Sequence, residues 1–227
     1  MKLNDIEKDV VISGKEIKLN GILGVPAHAR GLVIFAHGSG SGRLSSRNNY
    51  VARQLQKANF ATLLMDLLTE VEKKDRRNVF DIELLAERLI MAKKWLFHQS
   101  QTQRLSVAYF GASTGAGAAL VAAAINPSQL FAVVSRGGRP DLAKTFLSKV
   151  IVPTLLMVGG NDDEVIGLNQ EAYLKLRCEK ELKIIPGASH LFEEPGTLEE
   201  VAQLACAWFI EHSPHKISNL FTENQME

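Results

Sequence analysis

The residues able to do chemistry gather in four short stretches. Gly111-Ala112-Ser113-Thr114-Gly115 is a single GxSxG, set between an apolar run ending at Phe110 and an alanine-rich stretch beginning at Thr114. A serine hydroxyl attacks a carbonyl only when a neighbouring base takes its proton. A sharp strand-to-helix turn would expose its oxygen, and such a turn crowds the positions two before and two after, so both want no side chain. Ser113 is the candidate nucleophile. Gly187-Ala188-Ser189-His190 follows the last apolar run and offers His190 as base. The other histidines fit less well. His28 lies near the N-terminal strands, His98 at a helix end, and His212 and His215 towards the tail, while His37 reads as a loop-shaping residue. Gly159-Gly160-Asn161-Asp162-Asp163-Glu164-Val165 supplies the acid. Asp162 is favoured over Asp163, because Asp163 and Glu164 suit the first turn of a following helix, where carboxylates oppose the macrodipole.

Acyl transfer also needs two donors aimed at the developing oxyanion. One is expected from the backbone N–H of Thr114. The other is expected from His37-Gly38-Ser39-Gly40-Ser41-Gly42, with the N–H of Ser39 first and Gly38 as the alternative. The same loop begins like a GxGxxG phosphate cradle, but Arg43 stands at the third glycine position and no GxxxxGK[ST] occurs, so nucleotide binding is not expected. Arg43, Arg47, Arg136 and Arg139 fall in loops at strand ends. Arg43, Arg47 and Arg136 are candidates for holding a substrate carboxylate or phosphate. Solvated side chains or internal ion pairs are the other reading. The charged run from Glu70 to Arg77 reads as a solvated loop.

Such a site needs a scaffold that brings distant loops to one edge. Short continuous apolar runs at 32–36, 61–65, 105–110, 131–135, 154–158 and 182–185 read as strands buried on both faces. Between them, Ile82, Leu85, Ala86, Leu89, Ala92 and Leu96 share one helical face, as do Leu198, Val201, Ala202, Ala205, Trp208 and Phe209. The second of these helices opens on Thr197-Leu198-Glu199-Glu200, a capping-box pattern. A further helix should run from Thr114 to Ile125 and stop at Asn126-Pro127. A β-hairpin is expected over residues 8–26 around Gly14, and the polar tail after about residue 212 should be loosely held. The alternation implies repeated βα units around a mainly parallel sheet.

The chain has 227 residues, 46% hydrophobic and 22% charged, with a formal net charge of +1. That balance gives no field to attract nucleic acid or an anionic membrane. No apolar run approaches the roughly 20 residues of a membrane span, and Asp5 and Glu7 stand where a signal peptide would be apolar. A cytoplasmic, single-domain protein (residues 1–227) follows as the expectation. Cys178 and Cys206 form no CxxC or Cys/His cluster, so no metal is implied.

Together the glycine-rich loop, the GxSxG, Gly159-Gly160-Asn161-Asp162 and Gly187-Ala188-Ser189-His190 resemble the α/β-hydrolase superfamily, whose triads run in the chain order Ser, Asp, His. More narrowly, the chain resembles dienelactone-hydrolase-like proteins. Asp66-Leu67-Leu68-Thr69 and Ser135-Arg136-Gly137-Gly138-Arg139-Pro140-Asp141 are similar to those of a bacterial subgroup sometimes fused to phosphoribosyltransferase-type domains. One departure matters: dienelactone hydrolases proper use a cysteine nucleophile, where this chain has Ser113. The resemblance implies a single-domain α/β-hydrolase fold, about eight mostly parallel strands with helices on both faces. Residues 136–153 are too few for a large lid. It also implies hydrolysis of a small-molecule ester, thioester or lactone through an acyl-enzyme, with no cofactor. The alternatives are acyl transfer by the same triad and a catalytically silent binding protein of this fold.

Overall fold

Two-sided burial organises the molecule. In the computed structural model, which describes residues 6–14 and 16–214, the strands are β1 (Ile6–Ser13), β2 (Lys18–Val25), β3 (Leu32–Ala36), β4 (Ala61–Met65), β5 (Val107–Ala112), β6 (Leu130–Arg136), β7 (Thr154–Gly159) and β8 (Lys180–Ile185). Every residue of β3 to β7 is buried, which is why each reads as an unbroken run of mostly apolar residues rather than an alternation. The strands form one sheet in the order β1-β2-β4-β3-β5-β6-β7-β8. β1 and β2 make the expected antiparallel hairpin, and β2 joins β4 antiparallel; all other pairs are parallel.

The helices are α1 (Ser46–Lys57), α2 (Arg76–Val79), α3 (Ile82–Leu96), α4 (Thr114–Ile125), α5 (Asp163–Lys175) and α6 (Thr197–His212). They cover both faces. Leu85 and Leu89 of α3 and the alanines of α4 pack in one apolar layer, against Ile34 and Tyr109. Val51 and Leu55 of α1 and Val201 and Phe209 of α6 pack in the other, against Phe35 and Phe110. Helix α1 has a thinner sequence signal than α3, because its buried stripe is only Val51, Ala52 and Leu55 beside Asn48; Ser45 caps it by accepting the Asn48 N–H at 3.4 Å.

Three expectations need correction. Strand β8 is not buried on both faces: it is the edge of the sheet, with Glu181, Lys183 and Ile184 exposed, and its charges blunt further strand pairing. The capping box at Thr197 does not form. Gly196, at φ 85°, is the capping residue of α6, and the Thr197 hydroxyl donates to the Glu194 carbonyl at 2.8 Å. The charged run over residues 70–77 is not wholly solvated: it folds into a 3-10 turn, Glu72–Lys74, and α2, and Glu72 accepts from Arg88 at 2.7 Å. The segment over 136–153 makes no lid. Its 3-10 stretch, Pro140–Lys149, sinks Ala143 and Leu147 into the core instead. His212 belongs to α6, where its ring bonds the Trp208 carbonyl, while His215 and the tail lie outside the described residues, as do residues 1–5. Among the described residues, no helix is long and apolar enough to cross a membrane.

The direction in which successive strands are added reverses between the parallel neighbours β3 and β5. From β3 the chain crosses to β4 on one side, and from β5 it proceeds to β6 on the other. In open α/β sheets, ligands bind beyond the strand C-termini at such a switch point.

Candidate functional site

Ser113 follows β5 at that switch point. Its backbone has φ 50° and ψ −123°, a conformation that costs a non-glycine residue energy and persists only where its surroundings impose it. The surroundings here are two close approaches. A Cβ on Gly111 would run into Ala116 Cα, and one on Gly115 into the Ala36 carbonyl oxygen. The glycines two before and two after the serine are thus required by contact, and α4 lies hard against β3. The Ser113 N–H donates to the Arg136 carbonyl at 3.3 Å, and the Ser113 carbonyl accepts from Arg139 and Ala116, each at 3.0 Å.

His190 and Asp162 come together from the loops after β8 and β7. The His190 Nδ1 lies 2.7 Å from Asp162 Oδ2. Asp163 instead occupies the first turn of α5 and is exposed. The loop after β6 joins the two halves of the site. Arg136 holds the Ser113 amide, and a Cβ on the next residue, Gly137, would lie 3.7 Å from His190 Nδ1.

The loop after β3 closes over the other side. Gly38 faces Ser113 closely enough that a Cβ on it would sit 3.0 Å from that of the serine. The Gly38–Ser39 peptide is held at both ends. Its carbonyl accepts from His37 Nδ1 at 2.8 Å, and its N–H donates to Thr114 Oγ1 at 2.9 Å. His37 Nε2 accepts the Leu67 N–H at 3.1 Å, so the proton of the neutral ring is on Nδ1. Burial lowers the pKa of this imidazole, against the opposing pull of the Gly38 carbonyl. The Ser39 amide is therefore engaged with the hydroxyl of the first residue of α4, a contact that no local pattern in the sequence reveals.

Of the four arginines expected in loops, Arg47 lies in the first turn of α1 and Arg136 ends β6, and their partners differ. Arg43 is bound twice to the buried Asp66, through its Nη1 at 2.6 Å and its own N–H at 3.0 Å. Arg47 pairs with Glu193 at 2.8 Å and Arg139 with Asp141 at 2.9 Å. Arg136 is the exception. It is buried, its Nη2 reaches only Asn48 Oδ1 at 3.4 Å, and its Nε and Nη1 have no partner. Burial, with Arg47 nearby, lowers its pKa to about 10, so it stays charged at neutral pH. The Phe192 ring, centred 5.9 Å from its Cζ, is a weak substitute for an anion.

No protein-family model matches the chain. It is 58% identical over 206 residues to a Mycobacterium tuberculosis protein that carries the provisional name phosphoribosyl transferase, in strains CDC 1551 and H37Rv alike. The match covers 91% of this chain and 46% of the relative. The chain thus spans about half the length of the curated relatives it matches. The crystal structure of a dienelactone hydrolase from Anabaena variabilis superimposes with a TM-score of 0.89 at 56% identity, covering 92% of this chain and 99% of that one. Est1E from Butyrivibrio proteoclasticus (17% identity, TM-score 0.76, 90% of this chain and 98% of that one) shares the fold. So does P91, a dienelactone hydrolase-like promiscuous phosphotriesterase from metagenomic libraries (18%, 0.74, 92% and 98%).

Proposed function

Because the chain belongs to the dienelactone hydrolase family of α/β-hydrolases, we propose that it is a serine hydrolase cleaving a carboxylic ester, thioester or lactone through an acyl-enzyme on Ser113. The observation that carries this reading is the 2.7 Å bond between His190 Nδ1 and Asp162, at the same sheet edge as a serine held at φ 50°. With Asp162 on Nδ1, the ring presents Nε2 to accept a proton. His190 takes the proton of Ser113 as Oγ bonds to the substrate carbonyl carbon. It then returns that proton to the departing oxygen or sulfur as the scissile bond breaks. Water repeats the cycle on the acyl-enzyme, releasing the acid and free Ser113. The Thr114 N–H at the start of α4 is the first oxyanion donor. The second is a backbone N–H of the loop after β3, Ser39 if it exchanges the Thr114 hydroxyl for the oxyanion, otherwise Gly38.

Arg136 extends the reading to the substrate. An unpaired buried cation is costly unless something neutralises it, and an anionic group on the substrate would do so. Arg43 and Arg47, already paired, are assigned lesser roles there. The transferase name belongs to proteins of which this chain spans less than half, whereas the hydrolase likeness spans it almost entirely; we therefore carry over the hydrolase chemistry and not the name.

Ser113→Ala tests the proposal directly. It should lower kcat for a p-nitrophenyl ester by about 10⁶ and abolish labelling by a fluorophosphonate, while leaving the far-UV spectrum unchanged. A variant that keeps a tenth of the activity, or that still takes the label, removes Ser113 from the role.

A further inference from the structure

A chamber of about 280 Å³ lies on the β4 side of Ser113, lined by its neighbours Gly38 and Thr114. One wall is the Gly38–Ser39 stretch with Thr114; the opposite wall is Leu67, Leu68, Val79 and Leu85. Several of the polar atoms around it are already engaged within the protein. Both His37 ring nitrogens are bonded, the Ser39 N–H is on Thr114 Oγ1, and the Lys73 ammonium is 2.7 Å from Glu70. The Ser39 and Ser41 hydroxyls also line it, but an alkyl group seated against Leu67, Leu68, Val79 and Leu85 gains by leaving water. The volume lies just under the range of about 300–1,000 Å³ usual for pockets that take drug-sized molecules, so the occupant is small.

The strand order decides which part of a substrate goes there. His190 and Asp162 follow β8 and β7, on one side of β5; the chamber follows β3 and β4, on the other. The group that His190 protonates must lie on the His190 side, so the opposite substituent of the carbonyl points towards the chamber. Resting on the serine-hydrolase reading above, we propose that the chamber is the acyl subsite. The substrate class that fits is an ester, thioester or lactone with a short, apolar acyl group.

Val79 allows a clean test, because it is half-buried on the short α2 and leaves the sheet untouched. The measurement is kcat/KM for p-nitrophenyl acetate, butyrate, hexanoate and octanoate. The unmodified protein should prefer the shorter esters. In Val79→Phe the hexanoate-to-acetate ratio should fall about tenfold or more, since a change of one or two carbons in an apolar pocket is worth about that much. In Val79→Ala the same ratio should rise. A parallel series of acetate esters with leaving alcohols of increasing size should keep its profile in both variants. If the acyl-length ratio is unmoved, or if the alcohol series moves instead, the chamber is not the acyl subsite. A protein that labels at Ser113 with fluorophosphonate yet gives that result keeps the hydrolase reading and loses only the subsite. A protein that neither labels nor cleaves any ester loses both.

Discussion

At the scale of the residue, two carboxylates one position apart face different surroundings. Asp162 is hydrogen-bonded to His190, whereas the exposed Asp163 sits in the first turn of α5, where it favours the helix and touches no catalytic candidate. Asp162→Asn should therefore lower kcat by about 10⁴, because an amide can hold the ring in the wrong tautomer. Asp163→Asn should stay near the parent rate. Steady-state kinetics on one ester checks both, and the reverse ranking moves the acid to Asp163. Arg136 gives a second contrast. A buried charge without a counter-ion opposes folding, and replacing it with an apolar side chain of similar length is often neutral or stabilising by about 1–4 kcal/mol. Arg136→Met should hold or raise the Tm while raising KM about tenfold for a carboxylate-bearing ester, and leave KM for a neutral ester unchanged. A fall in Tm with equal effects on both esters marks Arg136 as structural.

At the scale of the element, Lys93 shows the opposite outcome for a buried cation. It lies on α3, and its Nζ donates to Asn126 O, Asn126 Oδ1 and Ser128 O at 2.7, 2.6 and 2.9 Å, closing the C-terminal end of α4. Burial lowers its pKa to about 8, which leaves it protonated at neutral pH. Here the acceptors are present, and removing the buried donor leaves partly buried acceptors at the end of α4 unpaired, at up to about 1–3 kcal/mol each. Lys93→Met should destabilise the fold by about 2–4 kcal/mol in a urea titration, where Arg136→Met does not. A neutral Lys93→Met would mean that α4 is held by its alanine packing alone. The loop after β3 is tied in the same manner, with Asp66 at the end of β4 gripping Arg43 and the Leu67 amide gripping His37.

At the scale of the whole molecule, the sheet order does the positioning. The switch between β3 and β5 sets the glycine-rich loop on one side of Ser113 and the Asp162–His190 pair on the other. The chamber bounded by Leu67, Leu68, Val79 and Leu85 lies on the glycine-rich-loop side of Ser113. The 3-10 stretch after β6 packs into the core rather than over this edge, so among the described residues this segment forms no large lid.

The sequence by itself determined the elements whose signals are local. Strands buried on both faces must be continuous apolar runs, so β3 to β7 were legible to within a few residues, and so was the amphipathic face of α3. The glycines around Ser113 were legible because the turn that needs them is made by five consecutive residues. What only the tertiary structure decided are contacts between segments far apart in the chain. That Asp162 rather than Asp163 meets His190 depends on loops 28 residues apart, and the engagement of the Ser39 amide by Thr114 on residues 75 apart. Four loop arginines looked alike in the sequence. Their surroundings separated them, because a guanidinium's role depends on whether a carboxylate reaches it: Asp66 and Glu193 reach Arg43 and Arg47 from distant segments, Asp141 reaches Arg139 from two residues away, and the Arg136 guanidinium hydrogen-bonds only the Asn48 amide oxygen at 3.4 Å.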